Sequence, residues 1–215
     1  ETCNVEKEHN MSKSLAAYAK GGNLPTLGKD AMAQALASAG AEESAGSASE
    51  GVEYVSFSGK TGAITYGRDR DDLDSGELFL MEPRSAFRGW ICWKDNKPVA
   101  RHQWSIYQQQ QLAVKEADLE DKGPYARQQD GWQSMLGFGF LTTEGEMVQY
   151  SFSTNSTSGK NAVADLFDEI AQRTIRGEPN FPLFFFTKEK FQAQGEWTFK
   201  PKFDIEEWIT EAEAM

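Results

Sequence analysis

The chain has 215 residues, 39% of them hydrophobic and 12% aromatic, and a formal net charge of −11. That length holds one sizeable core plus an arm, and so acidic a chain is not expected to coat duplex nucleic acid by bulk attraction. No apolar run approaches the roughly 18 residues of a membrane helix, so no membrane partner is expected, and the opening ETCNVEKEHN is too polar for a signal peptide; Cys3 and Cys92 lie far apart in unlike sequence, which makes the reducing cytoplasm the expected location.

Residues 1–10 are set aside from the fold, because Met11-Ser12-Lys13 reads as an ordinary start. Short helices are possible over 12–20 and 30–37. Residues 38–51, SAGAEESAGSASEG, are too small and polar to offset the entropy of ordering. Residues 1–51 are therefore expected to be a flexible arm and linker. From Val52 the pattern turns to β. Val52–Phe57 alternates, Ser58–Gly62 turns, and Ala63–Tyr66 returns. Asp69–Gly76 reads as a charged loop and Glu77–Met81 as a strand.

The segment from Arg84 to Tyr107 carries three of the six tryptophans, Trp90, Trp93 and Trp104. It also carries Arg88, Lys94, Lys97 and Arg101 besides Arg84, against one acid, Asp95. Lys94-Asp95-Asn96-Lys97 reads as a tight hairpin turn, since Asp and Asn tolerate left-handed conformations. Residues 108–131 are glutamine-rich and charged, and read as a long loop with a short helix. Gln133–Leu141 sets Met135 opposite a face of Leu136, Phe138 and Phe140, and Met147–Ser153 alternates. Residues 159–176 hold apolar positions at helical spacing, with Ser156 or Ser158 as cap and Gly177 and Pro179 as stop. Phe181–Thr187 and Trp197–Phe203 read as strands. Residues 204–215 are acidic: 204–209 read as an amphipathic end packed through Trp208, and 210–215 as a short acidic tail.

The expected fold is mainly β (α+β): an OB-fold-like antiparallel barrel over 52–209 with one inserted helix. Several motifs fail on inspection. Gly59-Lys60-Thr61 and Gly159-Lys160-Asn161 lack the leading glycine of a phosphate loop. The acidic run from Asp69 has Leu73 and Asp74 where a calcium loop needs a ligand and a glycine. Histidines are only His9 and His102, and cysteines only Cys3 and Cys92, so no zinc cluster, structural disulfide or cofactor is expected. No nucleophile elbow is present, and a binding protein is favoured over an enzyme.

The series Tyr54–Gly62, Tyr66-Gly67, Gly89–Trp93 and Gly131-Trp132, then strand, Ser-rich turn and helix, with Phe203 and Trp208 at the close, resembles a family of small tailed-bacteriophage proteins. The resemblance spans roughly residues 52–209. It implies a role similar to that of phage single-stranded DNA-binding proteins, in DNA replication or recombination. The chain departs from the best-known of these in lacking a terminal Phe.

Aromatics interleaved with cations suit single strands, where bases stack on rings and phosphates meet charge. The expected stacking residues are Trp90, Trp93, Trp104 and Tyr107, and the expected phosphate contacts are Lys60, Arg84, Arg88, Lys97 and Arg101. Strand alternation points Ile91 and Trp93 away from Trp90, so not every aromatic in Trp90–Trp93 can face the ligand. The acidic C-terminus is a further expected contact, for phage replication proteins. The rival reading is a phage structural or adaptor protein that binds other proteins through the same aromatics.

Overall fold

The computed structural model describes residues 52–106, 116–127, 129–145, 147–193 and 195–214. The expectations for residues 1–51 and for Tyr107 lie outside these. In chain order the elements are β1 (Val52–Phe57), β2 (Ile64–Tyr66), β3 (Asp71–Asp72), β4 (Leu78–Met81), β5 (Phe87–Lys94), β6 (Lys97–Ser105), β7 (Gly131–Thr142) and β8 (Gln149–Thr154). Helix α1 (Thr157–Arg176), strands β9 (Phe181–Ala193) and β10 (Glu196–Ile209) and the one-turn helix α2 (Glu211–Ala214) complete them.

Strand β7 organises the sheet. Its even residues Phe138 and Phe140 are buried, with Leu136 packed against the same core, while Met135 and Gly137 point the other way. One edge of β7 pairs with β8 over Leu136–Leu141. The other pairs first with β5 and then with β4, which lie end to end across a 3-10 turn at Pro83–Ser85. Ser85 secures that turn, since its hydroxyl accepts the Gly139 N–H at 2.7 Å. The main order is β10-β9-β4-β7-β8-β1-β2-β3, with β6 outside β5. The β1–β8 pair is parallel and the others are antiparallel, so the sheet is mixed, and its ladder does not close into a ring.

The sheet nevertheless curls. Phe152 on β8 and Phe186 on β9 are separated by β7 and β4 in the ladder, yet their ring centres lie 5.0 Å apart. Phe79, Phe138, Phe140, Phe152, Phe184 and Phe186 are fully buried in this curve, many of them edge to face. Helix α1 lays Val163, Leu166 and Ile170 over the rings. It starts at Ser156, whose hydroxyl accepts the Gly159 N–H at 3.1 Å, and stops at Gly177, whose φ of 69° needs a residue without a Cβ.

The end of the chain differs from the sequence reading. Strand β10 runs to Ile209, because residues 204–209 pair with Phe181–Phe185 across a bulge at Ile205/Glu207. Residues 210–214 are not a free tail. Ala214 is buried against Leu80, Phe181, Leu183 and Ile209, and Glu211 pairs with Arg84. The Glu213 carboxylate accepts the Thr210 N–H at 2.8 Å and hydroxyl at 2.7 Å, which holds its pKa below the ordinary value. Within the expected charged loop, Asp71 and Asp72 form a two-residue strand on Thr65 and Tyr66. Such a strand is too short to carry an alternation.

A candidate nucleic-acid interface

The β5–β6 hairpin forms as its sequence demands. Asp95 and Asn96 take φ of 53° and 62°, the paired left-handed conformation of a two-residue turn that matches strand twist. Register then sorts the side chains. Arg88 lies between Trp104 and Leu136, Trp90 between His102 and Ser134, and Cys92 between Ala100 and Trp132. All these residues share the face of the sheet that continues into the phenylalanine core. The opposite face carries Phe87, Ile91 and Met135, with Trp93 packed against them.

The first face holds the candidate site. The His102 and Trp132 rings are 5.4 Å apart and tilted by 33°, and both are half-buried, as is Trp90 beside them. Lys160, in the first turn of α1, donates to the Ser134 hydroxyl at 2.7 Å, one strand over from Trp90. The Arg88 guanidinium carbon sits 6.0 Å from the Trp104 ring centre. The Arg88 Nε and the Trp104 indole nitrogen are buried with no hydrogen-bond partner among the described residues. A buried donor left in that state costs about 1–3 kcal/mol, which a ligand acceptor can offset.

The far end of the face is polar and acidic. The Trp132 indole N–H donates to the Glu120 carbonyl at 2.8 Å, and Glu116, Asp118, Glu120 and Asp121 are exposed there. Cys92 is buried, its sulfur 3.7 Å from the Tyr125 hydroxyl. Desolvation and that thiol contact push the Tyr125 phenol above its usual value.

The expected site residues divide. Arg88, Trp90 and Trp104 come together on the one face, though Trp104 is 9% exposed and serves more as floor than as stacking surface. Trp93 lies on the other face, packed with Phe87, Ile91 and Met135. Lys97 is exposed at the turn, opposite Lys94. Arg101 is opposite Ile91 and so on the Trp93 face, with its guanidinium carbon 5.8 Å from the Tyr54 ring centre on β1. That contact brings β6 and β1, the ends of the run β6-β5-β7-β8-β1, together. Desolvation lowers the Arg101 pKa, with Tyr54 opposing it, and a guanidinium stays charged regardless. Arg84 is outside the cluster and paired with Glu211. Lys60 is exposed in the β1–β2 turn, beside β10, where Gly59 accepts the Phe199 N–H at 2.8 Å.

Three residues of the face were not among the expected contacts: His102, Trp132 and Lys160. Trp132 and Lys160 are separated from the hairpin by a strand pairing and a helix that spacing does not reveal, whereas His102 lies within the hairpin itself, opposite Trp90. Gly131-Trp132 was the usable signal, as a tryptophan opening a long strand. Among the described residues no helix is long and apolar enough to cross a membrane, and no group of three or more His, Cys, Asp or Glu is placed to hold a metal ion. No protein-family model matches the chain, and neither does any curated protein or solved structure.

Proposed function

We propose that this chain is a single-stranded DNA-binding protein of a bacteriophage, acting in DNA replication or recombination within the host cytoplasm and binding without catalysis. The carrying observation is the convergence of Trp90, His102 and Trp132 on one face, with Lys160 and Arg88 at its margins. Rings exposed at a half-buried level let successive bases stack without reading sequence, and cations flanking them take the phosphates. The run β6-β5-β7-β8-β1, drawn together by Arg101 and Tyr54, is the part we read as an oligonucleotide-binding barrel. Contact with replication proteins would use Glu206, Glu207 and Glu213, the acids of the C-terminal region that are exposed.

The rival is a phage structural or adaptor protein whose aromatic face binds protein. The exposed acids at 116–121 favour it, since they repel phosphate beside Trp132. Titration with oligothymidine at two salt concentrations separates the two. Salt-sensitive binding, weakened about 5- to 150-fold by Trp132→Ala in line with about 1–3 kcal/mol per stacked base, supports the DNA reading. Absence of binding at low salt overturns it and leaves the adaptor.

A further inference from the structure

The outer halves of β9 and β10 form a ribbon that sorts its side chains by chemistry. Lys190 is opposite Phe199, Lys188 opposite Pro201 and Gln192 opposite Trp197, so these six share one face. The other face takes Glu189, Glu196, Lys200 and Lys202. Glu189 is neutralised there by Lys200 at 3.2 Å, and Lys202 by Asp204 at 2.5 Å. Both acids of the ribbon therefore lie on the second face, and the first carries two lysines, two aromatic rings, Gln192 and Pro201 but no acid.

On that first face the Lys190 amine is 4.9 Å from the Trp197 ring centre, and the Lys188 amine 5.5 Å from that of Phe199. Among the described residues neither lysine has an ion pair. Trp197 is 63% exposed, and among the described aromatic residues only Tyr54 and Tyr125 are also exposed, each far less. The β1–β2 turn adds a third cation. Gly59 accepts both the Phe199 N–H and, at 2.7 Å, the Thr198 hydroxyl, which fixes the neighbouring Lys60 beside the ribbon. A lysine over an exposed ring is common on solvated surfaces. Such contacts alone do not account for the exclusion of acids from this face in a chain of net charge −11.

We infer that the β9–β10 ribbon, with Lys60, is a second contact for single-stranded nucleic acid, in which Trp197 stacks on a base and Lys188, Lys190 and Lys60 hold the flanking phosphates. This rests on the DNA-binding reading and adds a surface separate from the β5–β7 face. Charge complementarity selects the occupant: a flat ring bordered by unneutralised lysines matches alternating bases and phosphates.

The test is anisotropy titration of labelled oligothymidine with the full chain, Trp197→Ala, Trp197→Phe, the double variant Lys188→Ala/Lys190→Ala, and Trp132→Ala. Trp197→Ala should weaken binding about 10-fold and Trp197→Phe much less. The double variant should reduce the slope of log affinity against log salt by about 1.4, two phosphate contacts at about 0.7 each. If Trp132→Ala weakens binding while all ribbon variants bind like the unaltered chain, the ribbon inference is lost and the first site stands. If the unaltered chain does not bind, both fall. Loss confined to the lysine variant overturns the stacking role. Equally tight binding of polyglutamate, with the same variant pattern, overturns the inference in favour of an acidic protein partner.

Discussion

Gly89→Ala tests the geometry of the β5–β6 hairpin directly. A Cβ built on Gly89 would lie 2.0 Å from the His102 carbonyl oxygen and 2.8 Å from the Gln103 Cα. Both are backbone atoms, so no side-chain rotation relieves the contact. Real Cβ contacts stay beyond 3.0 Å, so the His102 carbonyl must retreat by at least about 1 Å. Overpacking of this kind costs typically 1–3 kcal/mol, and a rigid backbone neighbour places this case near the top, at about 3 kcal/mol. For a domain of this size that is a fall in Tm of about 6–12 °C. The same displacement moves His102 relative to Trp132, so oligothymidine binding should weaken as well. Gly145→Ala is the control: Gly145 has φ of 74° and nothing within 4 Å of its missing Cβ. There only backbone strain is at stake, about 1–2 kcal/mol. Thermal melts of both variants decide the matter. If Gly89→Ala costs no more than Gly145→Ala, β6 does not cross β5 as closely as described, and the reasoning about the site's shape fails.

Deleting residues 211–215 removes the buried Ala214 and the Glu211 partner of Arg84, and should lower stability by about 1–2 kcal/mol in urea titrations; an unchanged midpoint would mean that α2 does not dock. Burial raises the Glu82 carboxyl pKa, against the hydrogen bond from the Arg84 N–H and the Arg84 charge, while Glu211 adds to the rise. A raised carboxyl contributes stability below its unfolded value of about 4.3 and loses it as pH rises through the folded value. Glu82→Gln keeps an acceptor for the Arg84 N–H, so its stability relative to the unaltered chain should improve from pH 4 to pH 7. Melts showing a flat or declining difference would contradict that sign.

Much of the architecture was legible because it rests on local rules. The alternation of β7 and β8, the Asp95-Asn96 turn, and the Ser156 and Gly177 limits of α1 all follow from backbone preferences and polar patterning within a few residues. The opposed faces of Trp90 and Trp93 followed from strand parity, since the bulge opposite Cys92 and Trp93 takes its extra residue, Val99, from β6 and leaves Trp93 on the face of Ile91. Composition likewise marked Arg84–Tyr107 as the cationic, aromatic part of an acidic chain.

What the sequence could not determine were pairings made at long range, because a strand's pattern says which residues share its face and not which strand lies beside it. Only the tertiary structure put Trp132 and His102 against each other across β5, and brought the Lys160 amine to Ser134. The same applies to Lys60, which folding carries away from the hairpin to β10, and to Arg84, whose partner Glu211 is 127 positions along the chain. The acidic end shows the physical reason most simply. Its charges read as a solvated tail, yet the apolar surface of Leu80, Phe181, Leu183 and Ile209 needs cover, and Ala214 supplies it. That surface comes into being only when β4, β9 and β10 pair, so no local pattern could announce it.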